Sequence, residues 1–420
     1  MFIRYSRDKK GNLVEKAFVY TESEHGIHKS MIDPDALRII ERLKSEGHQA
    51  YIVGGAVRDL VQGKSPKDFD LVTDALPNKI KRLFRNARVI GRRFRLVHIM
   101  AGGKLFEVST FRSNKNGSVG NEFGTMDEDV LRRDFTFNAL YLDPTDLSLV
   151  DFVGGYKDLR AGKVKPIIPL GLIFREDPVR IVRCIKYGVA AGFAIPFSVR
   201  RAIRRDSRLL ADVSPSRMTE EFFKILASGK AEKVFRALVE FRILQYFVPS
   251  VWARMRDDIV YANRLFADLD SLDAIKLELE DDLGEEEGAK QGQGVKSRTL
   301  SVILSYFLKS FLLAENVGSE YSGEKFRESL LAARAFIQPL NPPRVDLEAA
   351  VLMIYRTSGL SPLQKPKKRR RRAKAAPKNP PAYCQPEDAA TSPGSPASPE
   401  RSGASERAVR PETPEPSAQP

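Results

Sequence analysis

Apolar positions recur at three- and four-residue spacing after Asp33. Leu37, Ile40 and Leu43 fall on one face, which predicts a helix with Asp33 as its N-cap. Gln49 to Val53 reads as a short strand running into Gly54-Gly55, and a helix over Val57 to Gln62 follows. Phe69 to Thr73 is rich in strand formers, and Asn78 to Arg85 has a helical pattern. Two more strands are predicted over Leu96 to Met100 and Leu105 to Phe111, with Gly102-Gly103 as the hairpin signal between them. Ser113 to Thr125 is polar and glycine-rich, so a mobile loop is expected there, and residues 1–30 are polar with little pattern.

After Lys163 the pattern is helical throughout. Asp177–Ala190, Pro196–Arg205, Pro215–Leu226, Ala231–Glu240, Ile259–Asp270, Thr299–Leu313, Lys325–Phe336 and Leu347–Tyr355 carry apolar residues at helical spacing. Glu278 to Gly294 turns acidic, then rich in Gly and Gln, which predicts a solvated insertion. The boundaries that follow are an extension over 1–32, an α/β head over 33–162, helical segments over 163–250 and 251–360, and a tail over 361–420. Eight of the ten residues from Lys365 to Lys374 are Lys or Arg, and a Pro/Ser-rich run follows, so the tail cannot bury enough apolar surface to fold.

Composition narrows the picture modestly. A net charge of +15 points to a polyanionic partner. No apolar run is long enough to span a membrane, and the charged start from Met1 to Lys10 lacks the apolar core of a secretory signal. Cys184 and Cys384 offer neither a disulfide framework nor, with His25, His28, His48 and His98, a zinc-ligand spacing. A cytoplasmic chain with reduced thiols is expected.

Gly54-Gly55-Ala56-Val57-Arg58-Asp59, then Gly63, then Asp68-Phe69-Asp70 carries the most chemistry. Gly-Gly between a strand and a helix lets backbone approach a phosphate. Asp68 and Asp70 are two apart on a predicted strand, so both carboxylates share a face and Phe69 turns to the core. Adjacent carboxylates repel unless cations sit between them, as Mg²⁺ does. Gly63-Lys64-Ser65 is not a P-loop, because Arg58 stands where its first glycine is required.

At this spacing the chain resembles the class II polymerase-β-like nucleotidyltransferases, which include bacterial poly(A) polymerases and tRNA CCA-adding enzymes. Four further stretches resemble the family in order: Glu107 in Phe-Glu-Val-Ser-Thr-Phe-Arg, Arg132-Arg133-Asp134-Phe135-Thr136-Phe137-Asn138-Ala139, Asp151 to Leu159, and Glu176-Asp177-Pro178-Val179-Arg180. The resemblance covers roughly Ala36 to Pro249. It implies an α+β fold class: a nucleotidyltransferase α/β head on a mixed sheet, an all-α neck and body, and a disordered tail. By the same resemblance Asp68, Asp70 and Glu107 hold two Mg²⁺ ions, or Mn²⁺, with Asp134 either catalytic or on the ribose. Gly54, Gly55, Arg58, Arg132, Arg133, Asn138 and Arg183 would contact the nucleotide, and Asp177 and Arg180 would read the base edge. Asp151 to Leu159 would be the head-to-neck connection, where glycines suit a hinge and a plain tight turn is the other option. Ser214 to Glu221 would be a packing helix.

Gly91-Arg92-Arg93-Phe94-Arg95-Leu96 resembles the poly(A) branch, and the basic tail agrees with it. Arg92, Arg93, Lys367, Lys368, Arg369, Arg370, Arg371 and Arg372 would then grip RNA phosphates. The implied activity is transfer of AMP from ATP to RNA 3′ ends by a monomer, with neither zinc nor a membrane. Addition of CCA to tRNA, or RNA binding without catalysis, are the alternatives.

Overall fold

The computed structural model describes residues 1–7, 12–91, 96–113, 115, 122–285, 300–315 and 321–360. Nine strands form one sheet: β1 (Phe2–Arg7), β2 (Leu13–Tyr20), β3 (Ala50–Val53), β4 (Asp70–Thr73), β5 (Ala87–Ile90), β6 (Leu96–Ala101), β7 (Lys104–Thr110), β8 (Leu140–Asp143) and β9 (Ser148–Asp151). Their order is β1-β2-β9-β8-β3-β4-β7-β6-β5. Only β4 and β7 run parallel; every other neighbouring pair is antiparallel, so the sheet is mixed as expected.

Alternation along the strands sorts side chains onto two faces. Ile52, Leu71, Phe106, Val108 and Leu142 belong to the large core, which continues into the helices. Tyr51, Val53, Val72, Tyr141 and Val150 belong to a smaller core on the opposite face, covered by helix Met126–Leu131 through Met126 and Val130. Asp70 is two residues from Val72 and so stands on this second face, at the start of its strand.

The helix after Asp33 forms over Pro34–Ser45, and Asp33 caps it by accepting from the Asp35 N–H at 2.8 Å. Beyond the sheet, helices Val179–Ala190, Phe197–Asp206, Pro215–Leu226, Ala231–Glu240, Pro249–Asp257, Ile259–Glu285, Leu300–Glu315, Gly323–Phe336 and Arg344–Thr357 form the all-α part. Phe222 centres its packing, with the Phe307 ring edge-on at 4.9 Å and Phe235 at 6.2 Å. No helix among the described residues is long and apolar enough to cross a membrane.

Several expectations need correction. Residues 2–7 and 13–20 are strands, paired with each other and, through β2, with β9. The hairpin exposes most of β2, so its pattern on paper is blurred. The helix from Ile259 reaches Glu285, through the first part of the stretch expected to be a solvated insertion. The turn after Asp151 is locked rather than loose. The buried Asp151 carboxylate accepts from the N–H groups of Val153 (3.1 Å), Gly155 (2.9 Å) and Tyr156 (3.0 Å). A Cβ on Gly155 would meet the Thr136 carbonyl oxygen at 2.0 Å, so this glycine serves close packing, not motion. The expected loop at Ser113 to Thr125 and the tail from 361 lie wholly or partly outside the described residues.

Candidate active site

Where the end of the sheet meets helix Val179–Ala190, a cleft of about 270 Å³ opens. Gly54, Gly55 and Asp70 line it from the sheet; Arg132, Arg133, Asp134 and Asn138 from the segment after Met126–Leu131; Asp177, Arg180 and Arg183 from the helical part. All ten were expected site residues.

β3 ends at Val53, and Gly54 turns the chain into helix Gly55–Val61 with φ +72° and ψ −129°. That conformation is open to glycine, and a Cβ there would stand 3.4 Å from Asp70 Oδ2. Gly54 is thus the close neighbour of the carboxylate. Asp68 precedes β4 rather than lying on it, so the idea of two carboxylates alternating on one strand holds only for Asp70. Glu107 is on β7. The β4–β7 register pairs Leu71 with Val108, and one step back sets Asp70 beside Glu107. His98 Nε2 lies 3.4 Å from Glu107 Oε1 on the far side.

The Asp70 carboxylate opens to the cleft yet has protein packed densely around it. Desolvation, then the charge of Glu107, push its pKa up to about 6, with Asp68 adding to the rise and Arg133 and Lys224 opposing it. Among the described residues, no group of three or more acidic, His or Cys side chains is drawn together as a finished metal cage. The donor set still fits a divalent cation. Asp68, Asp70 and Glu107 offer hard carboxylate oxygens, and the charges of the other two press on Asp70.

Opposite the acids stands a group of arginines. Burial, then neighbouring Arg112, lower the Arg132 pKa to about 10, with Asp129 opposing and Arg133 and Arg180 adding smaller pulls downward. Packing like charges into a partly dry cleft favours an anionic ligand. Arg133 departs from expectation. Its Nε and Nη2 donate to Asp129 Oδ2 (3.2 and 2.9 Å), its Nε to the Tyr141 hydroxyl (2.9 Å) and its Nη1 to the Asn138 carbonyl (3.1 Å). Its fork braces the scaffold, so Arg132 is the better phosphate group. Arg58 also turns inward: it donates to Asn138 Oδ1 at 3.3 Å and pairs with Asp59 at 2.9 Å.

Asp134 is buried. Its Oδ1 accepts from the Phe135 N–H (2.8 Å) and Asn138 Nδ2 (3.3 Å). Arg183 Nη2 lies 2.8 Å from Oδ2 as an ion pair whose angles miss those of a hydrogen bond. This contact ties the sheet segment to helix Val179–Ala190. Asp177 lies between helix Ile173–Glu176 and Pro178, in extended backbone rather than in a first helical turn. Its Oδ2 accepts from Arg217 at 2.7 Å, while its buried Oδ1 has no hydrogen-bond partner among the described residues. Arg180 Nε is 4.0 Å from Asp177, and its guanidinium donates to the carbonyls of Ile173 and Arg132, each at 3.3 Å.

Three contributors escaped the sequence analysis. Tyr187 lines the cleft, under Arg58 and Arg183 at 5.4 and 5.8 Å. It lies four residues after Arg183, so helical spacing was its available signal. Arg217, expected only to pack, orients Asp177 across 40 residues of chain. Asp129 orients Arg133. Neither contact leaves a local pattern. Arg92, Arg93 and Lys367 to Arg372 lie outside the described residues.

Comparison with known proteins agrees with this architecture. Residues 50–165 match the family model described as "Poly A polymerase head domain", and residues 192–255 one described as "Probable RNA and SrmB-binding site of polymerase A". Poly(A) polymerase I from Escherichia coli is 39% identical over 249 residues, 56% of this chain and 54% of that protein. A CCA-adding enzyme from Bacillus velezensis is 32% identical over 216 residues, 50% of this chain and 54% of that protein. The chain therefore spans about half the length of the curated relatives it matches. A solved apo structure of a CCA-adding enzyme has a TM-score of 0.50 at 20% identity, covering 81% of this chain and 85% of that one, a likeness of fold alone. The resemblance seen in the motifs is borne out to this extent: residues 50–165 match the model of the poly A polymerase head domain.

Proposed function

We propose that this chain transfers AMP from ATP to the 3′ end of RNA without a template. The observation that carries the proposal is the cleft itself. One wall offers glycine backbone beside Asp70, a second the Arg132 cluster, and a third Asp177 with a buried, unpartnered oxygen. Those walls match the reacting centre, the triphosphate and the base of a nucleoside triphosphate, in that order.

In this scheme the 3′-hydroxyl oxygen attacks the α-phosphorus, the bond to the β-phosphate breaks, and pyrophosphate leaves. Gly54 and Gly55 let phosphate oxygens approach the backbone. Arg132 balances the charge that moves onto the leaving group. Asp177, aimed by Arg217, accepts from the base amino group, and Arg180 donates beside it. Asp134 and Asn138, fixed by Arg183 and Arg58, face the ribose. Asp68, Asp70 and Glu107 would hold divalent cations, Mg²⁺ by preference. When bound, these would lower the proton affinity of the attacking hydroxyl and neutralise the triphosphate.

Poly(A) addition is preferred over CCA addition because identity to the poly(A) enzyme is higher over a longer stretch. The test is to supply ATP or CTP with a generic RNA and with tRNA lacking its CCA end. ATP incorporation into both RNAs is expected. CTP incorporation confined to the tRNA would overturn the preference, and no incorporation of either would overturn the activity.

A further inference from the structure

The sheet face that carries Asp70 is covered at its centre and, among the described residues, bare at its β5 edge. On β5, β6 and β7, Ala87, Val97, Ile99, Phe106 and Val108 turn to the large core, so the residues between them turn to the face shared with Asp70. The strand registers align those residues in rows. Asp70 stands beside Glu107, Glu107 pairs with His98, and His98 pairs with Arg88 on the edge strand. This polar row leads straight from the reacting carboxylates to an exposed cation.

Apolar rows flank it. On one side Leu105 pairs with Met100, and on the other Leu96 pairs with Ile90. Leu105, Met100 and Ile90 are 43%, 47% and 43% exposed, although they are large apolar side chains on a regular sheet. Single exposed apolar residues are ordinary; a set of them bordering a charged row beside the carboxylates is not.

We propose that this open face seats the 3′-terminal nucleotides of single-stranded RNA. Arg88 would meet a backbone phosphate, the Met100–Leu105 row the faces of the bases, and His98 the terminal ribose next to Glu107. Continuity and charge select this occupant. The row ends at the carboxylates where a 3′-hydroxyl must arrive, and its outer end is cationic in a chain of net charge +15. From β4 to β5 is three strand spacings, about 14 Å, which accommodates a terminal nucleotide and its neighbour. The inference rests on the function proposed above, since it supplies that reaction with its second substrate.

The test uses the full chain, Mg²⁺, ATP and a short oligoadenylate, with Arg88→Gln and Met100→Glu as separate variants. Each should raise the KM for the oligoadenylate about five- to ten-fold and leave the KM for ATP unchanged. Arg88→Gln should also flatten the dependence of log affinity on log salt by about 0.7. Unchanged primer KM and salt slope in both variants would overturn the platform, as would a KM for ATP that rises in step with that for primer. Leu105→Glu repeats the test from the neighbouring strand should Met100→Glu fail to fold. A wild-type chain that adds nothing to any RNA defeats the proposed activity instead. The platform is then judged by direct binding of the same oligonucleotide, and equal Kd for wild type and variants overturns it.

Discussion

Buried polar groups are treated differently in the helical part and in the cleft. In the helical part several are matched on every side the structure describes. Asp273 caps helix Ala231–Glu240 with both oxygens, accepting from the Ala231 and Glu232 N–H groups at 2.8 and 3.0 Å. Asp268 takes the Ser310 hydroxyl on one oxygen and Lys309 at 3.4 Å on the other. Lys186 and Glu221 form a buried pair at 2.8 Å. In the cleft, Asp177 is matched on one oxygen only, Asp70 faces two other acids, and Arg132 sits among like charges. Folding alone favours the first arrangement. The second is tolerated where a ligand completes it, which separates a site from a core.

The largest test of that contrast is Asp70→Asn. It should reduce nucleotide addition at least about a thousand-fold, measured as initial rate at saturating ATP. It should also raise the melting temperature without divalent cations above pH 6. The sign follows from the shift. Asp70 titrates at about 6 when folded and near the ordinary 3.8 when unfolded, so the unfolded state ionises first. Stability is lost as pH rises from about 4 to about 6, and the variant escapes that loss. Its advantage should therefore vanish near pH 4. A variant no more stable than wild type at pH 8 would show that Asp70 is not a strained group.

Phe222→Ala should do the reverse, costing about 3–5 kcal/mol of stability in denaturant titrations through the cavity it leaves. Phe222 is 1% exposed and does not line the cleft, so turnover per folded molecule should be unchanged. Smaller still is Arg217→Gln. It releases Asp177 and should lower the ratio of kcat/KM for ATP over CTP about ten-fold, with RNA KM constant. Equal loss with both nucleotides would assign Arg217 to packing.

The same contrast explains what could be read from sequence. Helices such as Pro215–Leu226 and Ala231–Glu240 appear at their expected bounds because one-sided burial writes a strong period. β8 and β9 were missed. Leu140–Asp143 is buried throughout, so it has no alternation to detect. The cleft residues were legible because the motif packs them into short, ordered stretches. Their roles were less so, since two adjacent arginines look alike in sequence. Only the packing of Asp129 and Tyr141 makes Arg133 a brace and leaves Arg132 toward the cleft.

The crowding around Arg132 also bears on turnover. If the proposed reaction runs here, a cleft that gathers Arg132 with other arginines would hold the leaving pyrophosphate as firmly as it draws in the triphosphate. Product escape would then compete with the next addition. Accumulated pyrophosphate would compete against ATP and drive the reaction backward, shortening the 3′ end one nucleotide at a time.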